Sequence, residues 1–97
     1  MYAIIRRYRV APESAEEVIR RVDEVWLDQV ARMPGFVSYY VVRGGDAELT
    51  SMTVVIDGQA GQRALEASAE WVGGNLMDLD VSLIDMQQGQ IVVHGGE

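Results

Sequence analysis

The chain has no cysteine and no lysine, one histidine, one phenylalanine and two prolines among its 97 residues. Without cysteine there is no disulfide, no thiolate metal site and no thiol nucleophile. A lone histidine cannot build a multi-histidine metal centre within one chain. Every basic residue is an arginine, and acidic side chains outnumber basic ones 15 to 8, for a net charge of −7. Scattered arginines on an acidic chain offer no basic face to displace the counterions of a nucleic acid. No apolar run reaches the ~18 residues of a membrane-spanning helix. The N-terminal stretch "MYAIIRRYRV" has its short apolar run broken by arginines and lacks a cleavage-site context, so it does not read as a signal peptide. The expectation is a cytoplasmic protein. A Ser-His-Asp order, a phosphate-cradling glycine loop and a dinucleotide fingerprint are likewise missing. "RGGD" and "VGGN" are isolated glycine pairs that read as turns.

What is present is a chain with 48% hydrophobic residues, enough for a packed core and of a length that suits one domain over residues 1–97. "YAIIRRYRV" alternates as a strand, with Tyr2, Ile4, Arg6, Tyr8 and Val10 on one face and Ala3, Ile5, Arg7 and Arg9 on the other. From Pro12 to Met33 the apolar residues Val18, Ile19, Val22, Val25, Trp26, Val30 and Met33 recur at helical spacing. Ser14 and Glu17 have the spacing of a capping box. Glu16–Arg20, Glu17–Arg21 and Asp28–Arg32 have the spacing of i,i+4 ion pairs. Pro34 and Gly35 stop this helix.

A second strand runs from Phe36 to Arg43. A short "GGD" connection turns it into a third, "ELTSMTVVID", which makes an antiparallel hairpin. "QAGQRALEASAEWV" is a second helix, with Ala64, Leu65, Ser68, Trp71 and Val72 as its inward stripe; Gly73 and Gly74 end or weaken it. "VSLIDM" and "QIVVH" read as a last strand or two strand pieces, with a bulge or turn at Gly89. The order β-α-β-β-α-β is that of an α+β, ferredoxin-like split βαβ unit: an antiparallel sheet with two helices on one face.

Tyr39 and Tyr40 then become informative. Neighbours in a strand point to opposite faces, so both faces of the second strand carry a large side chain. On the third strand neither face is charged. A two-layer domain with one wet face should alternate polar-out. The second face is therefore expected to be covered by another copy of the chain, as a homodimer pressed sheet to sheet.

The segments "MPGFVSYYVV", "RALEASAEWV" and "GQIVVHG", in this order and spacing, resemble the antibiotic biosynthesis monooxygenase-like family of dimeric α/β barrels. They look closest to its small bacterial members without an assigned reaction. The resemblance covers nearly the whole chain. It implies a homodimer through the sheet face and a pocket within each protomer between helices and sheet. It also implies one of the family's activities: cofactor-free oxygenation of aromatic polyketides, haem degradation, or isomerisation of small molecules. The pattern departs at three places. Many relatives have a Trp near the end of the third strand, where "VVIDGQ" has none. Ser68 stands at about the position of a His that haem-degrading members use as axial ligand. Arg6 stands at about the position of their first-strand Asn. Haem degradation is thus the least supported activity.

Arg6 and Tyr8 share a strand face and are the candidate catalytic pair: a cation and a phenol for an anionic aromatic substrate. The plainer alternative pairs Arg6 with a carboxylate and packs Tyr8. Trp26 and Trp71 sit on the apolar stripes, where they read as core and can also wall a flat ligand. Tyr39 is the remaining candidate pocket residue, with core packing as its alternative. His94 reads as a strand-end or interface residue, Asn75 as a turn or cap residue, and Asp78, Asp80 and Asp85 as solvated acids. No cofactor and no metal site are expected. Cofactor-independent oxygenation or isomerisation of a small aromatic or polyketide-like compound is the leading function. A non-catalytic ligand-binding or interaction module is the alternative.

Overall fold

The computed structural model describes residues 1–96. Its elements are β1 (Tyr2–Val10), a 3₁₀ turn (Pro12–Ser14), α1 (Ala15–Arg21), a π-helical turn (Val22–Trp26) and α2 (Leu27–Ala31). They continue with β2 (Phe36–Arg43), β3 (Glu48–Val55), α3 (Gly58–Asn75), a second 3₁₀ turn (Met77–Leu79) and β4 (Val81–Gln90). The strands form one antiparallel sheet in the order β2-β3-β1-β4. Both helical segments cover the same face. Val18, Trp26 and Val30 from the first, and Trp71 near the end of α3, share one buried cluster with Val10 of β1 and Leu49 of β3. This is the ferredoxin-like α+β architecture read from the sequence.

A second, smaller cluster of Ile4, Val55, Ala60 and Ala64 locks α3 onto the middle of the sheet. Contact there is close because Gly61 lacks a side chain: a Cβ at that position would lie 2.7 Å from the Tyr2 ring. The turn into β2 has a similar demand. Gly35 has φ +86°, a left-handed conformation that favours glycine, and a Cβ there would lie 2.8 Å from the Ala60 methyl. Asp57 caps α3, its Oδ1 accepting from the Ala60 amide at 2.8 Å.

Several local expectations are corrected. The first helix is not uniform: its π turn takes five residues where an α-helix would spend fewer, and this rotates the stripe. Trp26 and Val30 stay buried while Val25 faces outward. Ser14 makes no capping bond, because it closes the preceding 3₁₀ turn and Glu17 is held by Arg20 and Arg21. Glu17–Arg21 and Asp28–Arg32 form as expected, but Glu16 reaches Arg43 of β2 and Arg20 bridges Glu17 and Glu24. Gly73 and Gly74 lie inside α3 and do not end it. β4 runs unbroken through Gly89, which pairs with Ala3. The irregularity lies instead opposite Arg7 and Tyr8, where Ile84 is the extra residue. "IVVH" is not a strand: beyond Gln90 the described chain has no regular structure, and the Ile91 amide donates to the Met1 carbonyl. A further bulge at Val37 puts Phe36 and Tyr39 on the same, helix-facing side of β2, which strict alternation would separate.

Candidate functional site

The helix-facing side of the sheet and the two helical segments enclose a cavity of about 40 Å³. Each element contributes by its register. Tyr8 comes from β1, Tyr39 and Val41 from β2, Ser51 from β3, Val22 and Trp26 from the π turn, and Ser68 and Trp71 from α3. The wall is mostly apolar, with hydroxyls at Tyr8, Tyr39, Ser51 and Ser68. Among the described residues no carboxylate and no imidazole lies on it. An outer groove of about 270 Å³ adjoins it, sharing Val22, Tyr39 and Val41, with Asp23 on its rim. The inner cavity is well below the roughly 300 Å³ at which small-molecule sites begin, so a ligand there would extend into the groove.

Arg6 lies directly behind this wall. It is only 6% exposed, and its Nη1 donates to the Ser68 Oγ. Its guanidinium carbon is 5.2 Å from the centre of the Tyr8 ring. None of the ion pairs among the described residues includes Arg6, and its Nε is buried without a hydrogen-bond partner. Buried charges are ordinarily paired. Here a desolvated cation meets one hydroxyl and one aromatic face. Because Ser68 accepts from Arg6, its own O–H is left to donate elsewhere, polarised by the cation.

The two phenols are held neutral. Burial pushes the Tyr8 hydroxyl up from its ordinary value, opposed by the Arg6 charge and by Ser68. Burial pushes Tyr39 up to about 12, reinforced by the neighbouring Tyr8 and opposed by Ser51, Arg6 and Trp26. Both are therefore hydrogen-bond donors at neutral pH. Trp26 and Trp71 face each other with ring centres 5.8 Å apart and planes tilted by 34°. The Trp71 indole nitrogen is buried without an acceptor among the described residues.

The candidate residues Arg6, Tyr8, Trp26, Trp71 and Tyr39 thus converge on one place, with Arg6 behind the wall. Ser51 was not singled out by sequence reasoning. It sits two residues from Leu49 on the same strand face, which becomes a signal only once that face is known to look toward the helices. Other polar residues lie elsewhere. His94 is exposed on the tail after β4. Asn75 closes α3, its Nδ2 donating to the Trp71 carbonyl. Asp78 is not free: it pairs with Arg21 at 2.9 Å, which lowers its pKa. Among the described residues no group of His, Cys, Asp and Glu could hold a metal ion. Among those residues, too, no helix is long and apolar enough to cross a membrane.

Fold and site together define a small ferredoxin-like α+β protein with an apolar cavity between helices and sheet. The chain belongs to the antibiotic biosynthesis monooxygenase family, whose model matches residues 1–71, from β1 to Trp71. Among solved structures it is similar to SnoaB, a cofactor-independent oxygenase from Streptomyces nogalater. That match has 24% identity, covers 99% of this chain and 97% of that one, and has a TM-score of 0.72. It is also similar to a dimeric ferredoxin-like protein from an uncultured marine organism (11% identity, 99% and 98% covered, TM-score 0.77). A third is a mutant of MhuD with two manganese protoporphyrin IX bound per active site (18% identity, 100% of both chains, TM-score 0.79). No curated protein matches the chain.

Proposed function

We propose that this protein is a cytoplasmic homodimer of single-domain chains. In each chain the cavity binds a small aromatic or polyketide-like compound as its anion and oxygenates it without a cofactor. The observation that carries the reading is Arg6: a cation only 6% exposed, without a carboxylate partner among the described residues and bonded to a hydroxyl on the cavity wall. Such a cation favours an anion placed beyond Ser68 and Tyr8. The same field lowers the pKa of a bound phenol or enolisable ketone. The proton leaves through the groove toward Asp23 and solvent, since the inner wall carries no base.

The electron-rich anion is then the reductant and O₂ the oxidant. One electron passes to O₂, the radical pair joins to form a C–O bond, and the resulting hydroperoxide loses water to leave a carbonyl. An anthrone consumes one O₂ in this way and gives the quinone and one water. SnoaB, a cofactor-independent oxygenase, lends support by fold. Isomerisation would use the same anion without O₂.

Haem degradation fits less well. The Arg6–Ser68 contact occupies the two positions where the haem-degrading pattern has Asn and His, and a guanidinium with a hydroxyl is not an imidazole ligand. A non-catalytic binding module is favoured by the cavity wall's lack of any base.

Oxygen uptake with anthrone, measured without added metal, flavin or haem, tests the reading. The enzyme consumes oxygen and forms the quinone, and Arg6→Met loses roughly two orders of magnitude with an unchanged circular dichroism spectrum. Binding without uptake would leave the module reading. Uptake unaffected in Arg6→Met would exclude Arg6 from the chemistry.

A further inference from the structure

We infer that the indole N–H of Trp71 is a second recognition point in the cavity. The ligand class is then a ring compound with two oxygen functions. One is an acidic hydroxyl or enolisable carbonyl held near Tyr8 and Ser68. The other is a carbonyl or ether oxygen that accepts from Trp71. This rests on the anion-binding reading of the cavity and adds a second contact to it.

Trp71 is 7% exposed and lines the cavity, and its Nε1 is buried with no acceptor among the described residues. A buried indole N–H usually finds a partner. The other orphan donor, Arg6 Nε, is not on the wall and cannot substitute for it. Ser68 and Trp71 are three residues apart on α3 and so share one helix face, with backbones separated by roughly 4.5 Å along the axis. Both side chains line the cavity. Trp26, packed against Trp71 at 5.8 Å, holds the indole plane in place. A site with a waiting donor discriminates against an analogue that lacks the matching acceptor.

The test uses α-naphthol and its para-methoxy ether, bound to the full chain under nitrogen so that neither is oxidised. Two readouts are followed: calorimetric affinity and the two indole N–H resonances in a proton–nitrogen correlation spectrum. The expected result is tighter binding of the methoxy compound by roughly tenfold, with the Trp71 N–H moving downfield only with that compound. Trp71→Phe is expected to bring the ratio of the two affinities close to one. If that variant does not fold, the native spectrum alone decides, with Trp26→Phe assigning the resonances. Equal affinities and an unmoved Trp71 resonance would overturn the inference, a resident water being then the indole's partner. If Arg6→Met still weakened both compounds, the anion site would survive that result. Failure of both compounds to bind at their solubility limits would overturn the two readings together.

Discussion

At the scale of single residues, the most consequential feature is a charge without a counter-charge. Desolvating a guanidinium costs several kcal/mol unless something compensates. Arg6 has one hydroxyl and the face of Tyr8. Function and stability are therefore expected to oppose each other here. Arg6→Met, which keeps the volume and removes the charge, should leave urea stability unchanged or raise it by roughly 1 kcal/mol or more, while abolishing anion binding. A clear destabilisation would mean that Arg6 is structural. Tyr39 makes a second prediction. Its folded pKa of about 12 exceeds the roughly 10 of an unfolded tyrosine. The folded state thus keeps a proton that the unfolded state has lost. Stability from this group is constant below about pH 10 and falls as pH rises toward about 12, by up to roughly 2 kcal/mol. Urea midpoints across this range should slope downward in the native protein and less so in Tyr39→Phe.

At the scale of elements, α3 carries both a strict and a relaxed glycine requirement. Gly61→Ala puts a methyl 2.7 Å from the Tyr2 ring and should cost roughly 1–3 kcal/mol. Gly73 lies inside the same helix, and a Cβ there meets nothing within 4 Å. Gly73→Ala should accordingly stabilise by roughly 0.5–1 kcal/mol. Thermal melts of the two variants, measured together, check both signs. The contrast also explains why the glycine pair misleads as a stop signal. Propensity is a weak prior, and Trp71 and Leu76, on either side of the pair, are both anchored in the core. The π turn had no comparable warning. Val22, Val25 and Trp26 all fit a regular helical stripe, and only packing against the sheet selects Trp26 over Val25. That selection puts two of the cavity's wall residues in place.

At the scale of the whole molecule, the unoccupied face of the sheet sets the prediction. Tyr40 is 51% exposed and Val42 61%, both on β2 and both turned away from the helices. Beyond β4 the tail leaves Val92 and Val93 each 86% exposed. Apolar side chains concentrated on one face mark an interaction surface. Sedimentation at micromolar concentration should give twice the chain mass, and Tyr40→Arg with Val42→Arg should halve it. A monomer in the native protein would remove the sheet-to-sheet dimer. The cavity lies on the opposite side, within one chain, so ligand binding in the doubly substituted monomer would separate assembly from recognition.

The order of strands and helices, the division of β1 into two faces with Arg6 and Tyr8 on one of them, and the apolar stripes that carry Trp26 and Trp71 were legible in the sequence. Period-two and period-3.6 patterns survive as long as burial is one-sided. Three features belonged to the tertiary structure alone: the bulges at Val37 and Ile84, the π turn, and the bond from Arg6 to Ser68. Each depends on partners far apart in the chain, 62 residues in the case of Arg6 and Ser68. Local pattern sets which face a side chain takes, but only packing between distant segments decides what that face meets.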